Sequence, residues 1–178
     1  MSRTIKLKAL LYEVISEVGD VENIESYSFT KTSNQNYEFE TEQGDIVKVV
    51  FQVAPLSVLK IEDPITDKFT NIGFTISGSE TQFKKSTYSY LIKILKTIID
   101  IIIDYLKINH PKYIFISSTN KSDEKSTIEF DAQKNKLYQA IILKNINKLP
   151  EYNGKWKYKI LDDIFGIKGD SILLYNGN

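Results

Sequence analysis

Three groups of residues in this sequence have types and spacings that could perform chemistry. The first is a run near the C-terminus in which lysines alternate with aromatic residues: Lys155, Trp156, Lys157, Tyr158 and Lys159. This combination is typical of proteins that bind single-stranded nucleic acid, because lysines neutralise phosphates and aromatic rings stack on bases. The same alternation is typical of an edge strand whose lysines protect it from aggregation, so both interpretations stay open.

The second group consists of three carboxylates spaced two residues apart, at Glu38, Glu40 and Glu42. In an extended strand, residues two positions apart lie on the same face, so one of these side chains could act as a general base. The residues between them alternate in a way that equally describes a strand with one face in solvent. We favour that second interpretation.

The third group is a polar turn that begins at Gly78 and Ser79 and ends at Ser86, just before the longest predicted helix. Backbone N–H groups that open a helix attract anions, so this turn could bind a phosphate. The alternative is structural: Gly78 ends a strand, and Ser86 or Thr87 caps the helix.

The composition excludes several other kinds of chemistry. The 178 residues include no cysteine and one histidine, His110, which removes thiol nucleophiles, disulfides and two-histidine metal sites. No acidic cluster has the spacing of a calcium loop, so no metal is predicted. His110 precedes a proline and is expected to cap a helix. Lys and Arg total 23, as do Asp and Glu, so no net charge draws the protein to nucleic acid or to an anionic membrane.

Hydrophobic periodicity predicts the elements that must position these groups. Apolar residues recur at three- and four-residue steps over 4–18, 87–108 and 131–147, which indicates three helices. On the longest of them, the charged residues from Lys93 to Lys107 fall on one side and are expected to face water. Strands are predicted over 27–32, 37–43, 46–53, 72–76, 113–117, 155–160 and 172–175.

The order of these elements predicts an α+β (mixed α/β) fold with a mostly antiparallel central sheet, a long central helix and flanking helices. Gly44 and Asp45 predict a hairpin turn between two strands. Pro111 ends the long helix before an apolar strand, which predicts a parallel crossover from the strand at 72–77. We expect a single domain over 1–178. It comprises an N-terminal helix at 4–18, antiparallel strands within 27–77, a helix-strand-helix core over 87–147 and C-terminal strands within 155–175.

Several short stretches carry a resemblance to a known family. They are Ile76-Ser77-Gly78-Ser79, the helix through Ile98, Pro111 before Tyr-Ile-Phe-Ile-Ser, and Leu137-Tyr138. From Ile72 to Tyr138 the chain resembles the GNAT superfamily of acyl-CoA acyltransferases, and more closely small tailed-phage proteins with a GNAT-like outline. The resemblance implies a GNAT-like fold and a bacteriophage protein of the host cytoplasm or the virion. The first residues lack the apolar region of a signal peptide, and no apolar stretch is long enough to span a membrane.

The resemblance also implies where a cofactor would bind. GNAT proteins hold the pyrophosphate of acyl-CoA on backbone amides at the start of their long helix, with the signature Gln or Arg, two residues, Gly, one residue, then Gly or Ala. Gln82 takes the first position, whereas Lys85 and Thr87 stand where small residues belong, and their side chains obstruct close approach of phosphate. The implied cofactor residues are Gly78, Ser79, Gln82, Lys84, Lys85 and Ser86, with the two lysines compensating by charge.

Tyr138 stands where the superfamily often carries a tyrosine that protonates the departing CoA thiolate. The alternative is a core tyrosine with its hydroxyl at the rim.

Three functions follow from these patterns. The departures from the signature favour a non-catalytic, acyltransferase-like protein without a cofactor that binds other proteins, either phage structural proteins or itself. The first alternative is an acyl-CoA-dependent N-acyltransferase that uses acetyl-CoA. The second alternative is a single-strand nucleic-acid binder. Fold analogy does not choose among them, because function depends on sites.

Overall fold

The structure is a computed structural model, and it describes residues 23–77, 88–116, 140–161 and 171–177. Within these ranges, seven strands form one sheet in the order β1-β2-β3-β4-β5-β7-β6. The strands are β1 (Phe29–Lys31), β2 (Asn36–Glu40), β3 (Ile46–Pro55), β4 (Lys68–Ser77), β5 (Tyr113–Ile116), β6 (Trp156–Leu161) and β7 (Ser171–Asn176). The long helix α1 (Tyr88–Asn109) lies between β4 and β5 in the chain.

Neighbouring strands of the sheet are antiparallel, apart from β4 and β5, which pair in parallel. A parallel pair needs a crossover connection, and α1 lies in the segment that supplies it. The predicted α+β class, the mostly antiparallel sheet and the parallel crossover are confirmed.

The turn between β2 and β3 forms where the sequence predicts it. Gly44 has a φ of 80°, a left-handed conformation that glycine adopts without steric cost. The Gly44 N–H donates to the Thr41 carbonyl over 2.9 Å, and the Thr41 N–H donates to the Asp45 carbonyl over 2.9 Å. These bonds close the hairpin and set the register of β2 against β3.

The two faces of the sheet are both apolar, but different elements cover them. We call the side that packs on α1 the helix face; it includes the buried side chains of Tyr37, Val49 and Phe51. On the opposite face, Phe69 and Phe115 belong to a smaller cluster with Leu56 and Leu59 of the 3-10 helix Leu56–Leu59. Burial of apolar side chains on both faces is the main stabilising contribution to the fold.

The buried surface of α1 is wider than its periodicity predicts. Tyr90, Ile94, Ile101 and Tyr105 are buried along with most of the expected isoleucines and leucines. The side predicted to face water is partly covered, because the segment before β1 lies along it. The Tyr27 N–H donates to Thr97 Oγ1 over 2.9 Å.

The end of α1 lies close to the predicted position. The His110 N–H donates to the Leu106 carbonyl over 3.3 Å, and His110 has a φ of 47°. A left-handed residue directly after the last helical turn is a common way for a helix to end. The ring of His110 lies 4.7 Å from the ring of Tyr152, measured between centroids.

Some predicted boundaries differ from the observed ones or lie outside the described residues. β4 begins at Lys68 rather than at residue 72. The predicted helix at 4–18 lies outside the described residues, as does the first part of the helix predicted at 131–147. Residues 140–144 of the latter are helical, and the 3-10 helix Ile146–Lys148 follows. Among the described residues, no helix is both long and apolar enough to cross a membrane.

Candidate functional site

All the residues expected to hold a cofactor or to act as the acid lie outside the described residues. They are Gly78, Ser79, Gln82, Lys84, Lys85, Ser86 and Tyr138. The structure does place the ends of the two elements that flank the predicted anion-binding turn, since β4 ends at Ser77 and α1 begins at Tyr88. The groups that surround these two ends are therefore the part of the candidate site that can be described.

A polar cluster made of Tyr27, Glu42 and Lys93 lies beside the first turns of α1. The Tyr27 hydroxyl donates to Glu42 Oε2 over 2.6 Å. Lys93 Nζ lies 3.4 Å from the same oxygen and 4.4 Å from the centroid of the Tyr27 ring. The cluster thus joins the segment before β1, the β2–β3 turn and α1.

The electrostatics of this cluster oppose a role for Glu42 as a base. The hydrogen bond from Tyr27 lowers the pKa of Glu42, and the positive charge of Lys93 adds to that effect. Burial and the neighbouring Glu42 carboxylate raise the pKa of Tyr27. A general base works best when its pKa lies near the operating pH. Near neutral pH, Glu42 is therefore a fixed anion and Tyr27 a fixed donor.

Glu38 and Glu40, the other two predicted bases, lie on the sheet face that points away from α1. Glu38 lies opposite Lys48 in the β2–β3 register, and its Oε2 is 3.7 Å from Lys48 Nζ. The structure therefore places Glu38 and Glu40 on one strand face, as their spacing predicts, but it places Glu42 in the turn after β2.

The pairing of a tyrosine hydroxyl with a carboxylate recurs at three further positions of the described chain. The pairs are Tyr37 with Asp104 at 3.0 Å, Tyr90 with Asp45, and Tyr113 with Asp63. In each tyrosine, burial is the largest cause of a raised pKa, which reaches about 12 in Tyr90 and Tyr113. These phenols stay protonated near neutral pH, so they hold carboxylates in place rather than exchange protons.

Tyr90 connects the β2–β3 turn to the start of α1. Its hydroxyl donates to the buried Asp45 and lies 3.1 Å from Thr41 Oγ1. Thr41 Oγ1 in turn accepts the Asp45 N–H over 3.1 Å. The sequence does not predict this arrangement. The local signal for it is a tyrosine, Tyr90, in the first turn of a helix.

Replacing Tyr90 by phenylalanine is expected to lower the free energy of unfolding by about 2 kcal/mol, because the buried Asp45 carboxylate loses a donor. Urea denaturation followed by circular dichroism measures the change. Tyr158→Phe is the matched control, since Tyr158 is 52% exposed, and its effect should stay below about 0.5 kcal/mol. Equal effects in the two variants would contradict the anchoring role of Tyr90.

The parallel pairing at the centre of the sheet is described as far as Ile116, the last described residue of β5. It consists of Thr70 with Ile114 and Asn71 with Phe115, although β4 continues to Ser77 and pairs with β3 throughout. Gly73 follows these pairs on β4, and no heavy atom of the described residues lies within 4 Å of the position where a β-carbon would be.

One polar atom beside this stretch lacks a partner. Asn71 Oδ1 is buried and has no hydrogen bond within the described structure. A buried amide oxygen without a donor carries a free-energy penalty that a suitable ligand donor would relieve. Asn71 and Gly73 together therefore mark a place on β4 where, among the described residues, an extended group has both space and a possible hydrogen bond.

The lysines and aromatic residues that alternate over 155–159 point to opposite faces of β6. Trp156 is buried on the helix face, and its indole N–H donates to the Pro150 carbonyl over 3.0 Å. Lys157 and Lys159 are exposed on the opposite face, where they lie opposite Tyr175 and Leu173 of β7. Lys155 is exposed and precedes the strand. The ring of Trp156 is thus part of the core rather than a surface for stacking.

The described residues contain no group of three or more histidine, aspartate or glutamate side chains that could hold a metal ion. No protein-family model, curated protein or solved structure matches the chain. The described residues form a single α+β domain whose sheet has seven strands and is mostly antiparallel. Any function must therefore follow from what its own residues can do.

Proposed function

We propose that the chain is a non-catalytic protein with a GNAT-like fold that acts through contacts with other proteins, as a component of a phage particle or of its assembly. The crossover from β4 through α1 to β5 supports the GNAT-like part of the proposal. It is the arrangement that the resemblance between Ile72 and Tyr138 implies, and α1 starts shortly after β4 ends.

The state of the acid–base groups beside α1 carries the non-catalytic part of the proposal. The hydrogen bond from Tyr27 lowers the pKa of Glu42, whereas burial first and the bond to Glu42 second raise the pKa of Tyr27. An acyltransferase needs a group that accepts a proton from the attacking amine near neutral pH. Lys85 and Thr87, which replace the small residues of the phosphate-binding signature, support the same conclusion.

Exposed apolar side chains support the part of the proposal that concerns protein contacts. Tyr158 and Ile160 lie on the outermost strand β6 and are 52% and 51% exposed. Aromatic residues are enriched in protein interfaces because they bury a large area at low conformational cost. Their position at the end of the sheet makes them accessible to a partner.

Thermal unfolding in the presence of millimolar acetyl-CoA tests the proposal. A ligand at 100 times its dissociation constant stabilises a protein by about 2.7 kcal/mol, which raises the Tm by several degrees. We expect no such rise. A raised Tm, together with release of free CoA thiol when an amine acceptor is added, would contradict the non-catalytic proposal.

An acyl-CoA-dependent N-acyltransferase is the second candidate, and the buried Asn71 Oδ1, which has no hydrogen-bond donor within the described residues, is the observation that favours it. The pantetheine arm of acyl-CoA is extended and carries amides, which can hydrogen bond beside a strand. If wild type binds acetyl-CoA, Gly73→Val should weaken that binding, because its side chain fills the open space at Gly73. Nucleic-acid binding has no comparable support, since the Trp156 ring is buried.

A further inference from the structure

We propose that β6 is a docking strand for an extended acidic segment of a partner protein, which adds to the sheet beside β6. The segment would alternate acidic side chains on one face with apolar side chains on the other. This inference rests on the proposed function, because it names the class of partner that a protein-binding role would use.

The position of β6 supports strand addition. β6 is the last strand in the sheet order, and it pairs with β7 over its whole length, from Trp156 with Asn176 to Leu161 with Ser171. In the described part of the chain, no strand pairs with its other side. An outer strand presents backbone N–H and C=O groups to which an extended peptide can hydrogen bond. The opposite edge strand β1 has three residues against six in β6 and offers a shorter template.

The side chains of β6 determine which segment fits. Tyr158 and Ile160 lie on the helix face, opposite Leu174 and Ile172, and about half of each side chain is exposed. Because side chains alternate along a strand, the exposed Lys157 and Lys159 point to the other face. A partner strand next to β6 therefore needs apolar residues beside the first pair and carboxylates beside the second.

The same placement disfavours two other occupants. A second copy of this chain, pairing antiparallel through β6 with its faces matched, would place Lys157 opposite Lys159, and like charges in that position are destabilising. A single-stranded nucleic acid needs rings and positive charges on the same surface. On β6 the exposed ring of Tyr158 lies on the face away from these lysines.

Titration of the isotopically labelled protein with the peptide acetyl-Thr-Glu-Ile-Glu-Val-Glu-Thr-amide tests the inference. We expect amide chemical-shift changes in β6 and β7, and an affinity that falls as salt is added. Lys157→Glu combined with Lys159→Glu should weaken binding about tenfold or more. The same peptide with lysine in place of glutamate should then bind this variant and not wild type.

The matched control is Lys60→Glu combined with Lys107→Glu, which reverses two exposed charges away from β6 and should bind like wild type. Circular dichroism checks whether each variant is folded. If the β6 variant is unfolded, the inference is tested by comparing the binding of the two peptides to wild type. The inference is overturned if wild type binds neither peptide at millimolar concentration or binds both equally. It is also overturned if the shifts lie outside β6 and β7, or if oligothymidylate displaces the acidic peptide from β6. If the protein binds neither acetyl-CoA nor the acidic peptide, the non-catalytic proposal stands and the inference about β6 is overturned.

Discussion

Replacing Asp63 by asparagine is expected to lower the free energy of unfolding at neutral pH by about 3 kcal/mol. The Asp63 side chain is 6% exposed, and its Oδ2 lies 2.6 Å from Lys112 Nζ, whose side chain is 13% exposed. The Tyr113 hydroxyl donates to the same oxygen, and the Ile65 N–H donates to Oδ1 over 2.7 Å. Asparagine carries no charge, so the Lys112 ammonium would be left largely buried without a counter-charge. Urea denaturation followed by circular dichroism measures the loss.

The effect of this substitution should depend on pH. Hydrogen bonds from Lys112 and Tyr113 hold the pKa of Asp63 well below its usual range, whereas in the unfolded chain it is about 3.9. As the pH falls, the unfolded chain takes up the proton first, so the stabilisation is present above about pH 4 and is lost progressively below it. The difference between wild type and Asp63→Asn should therefore shrink below about pH 4. A difference that stays constant there would contradict the role of the charge.

Glu38→Gln provides the matched control for Asp63→Asn. Glu38 and Lys48 also form an ion pair, but the atoms are 3.7 Å apart and the side chains are 40% and 59% exposed. Breaking an exposed pair costs less than about 1 kcal/mol, because water already screens both charges. Adding Lys112→Met to Asp63→Asn should restore part of the lost stability, since no uncompensated charge then remains.

The central topology was predictable because local signals encode it. Gly44 and Asp45 between two alternating runs predict the hairpin, and the left-handed φ of Gly44 is what such a turn requires. Pro111, which cannot continue a helix, precedes a short apolar run, and all four residues of β5 are buried. A helix followed by a buried strand predicts the parallel crossover, because short connections cannot join parallel neighbours.

The coverage of α1 was not predictable, because it depends on contacts between residues far apart in the chain. Periodicity assigns Lys96 and Asp100 to a solvent face. In the structure, the Ser26 hydroxyl, in the segment before β1, donates to the Asp100 carboxylate on that face. The bonds from Tyr27 to Thr97 and from Tyr37 to Asp104 join residues separated by 70 and 67 positions. A sequence window that identifies a helix contains none of this information.

The same limit applies to the run around Trp156. Alternation predicts that the ring and the lysines point to different faces of a strand, and they do. Which face is buried depends on what packs there. Trp156 is buried because Leu149, Leu174 and other side chains of the helix-face cluster surround that side of the sheet. The sequence therefore suggests one binding surface for Trp156 and its neighbouring lysines, whereas the fold buries the ring and leaves the lysines exposed on the other face.

Truncation of Phe51 to alanine is expected to lower the free energy of unfolding by about 3 to 5 kcal/mol. Its side chain is completely buried in the middle of β3. It meets the Tyr37 ring edge-on at 5.7 Å and stacks on the Tyr105 ring at 3.8 Å, measured between centroids. Alanine would leave a cavity where β2, β3 and α1 meet, and urea denaturation would report the loss.

Val53→Ala separates the contribution of this position from that of the strand itself. Val53 lies two residues along β3 on the same face but is 49% exposed, so its truncation should cost less than about 1 kcal/mol. Phe51→Leu keeps most of the volume and should cost less than half as much as Phe51→Ala. The free energy of unfolding of a whole domain is about 5–15 kcal/mol, so a loss of this size is a large part of it. If only Phe51→Ala shows the loss, packing of α1 on the sheet contributes more to stability here than strand pairing does. Equal losses at Phe51 and Val53 would instead mean that the lost stability comes from the strand. Both residues lie on β3, but only Phe51 contacts the Tyr105 ring on α1.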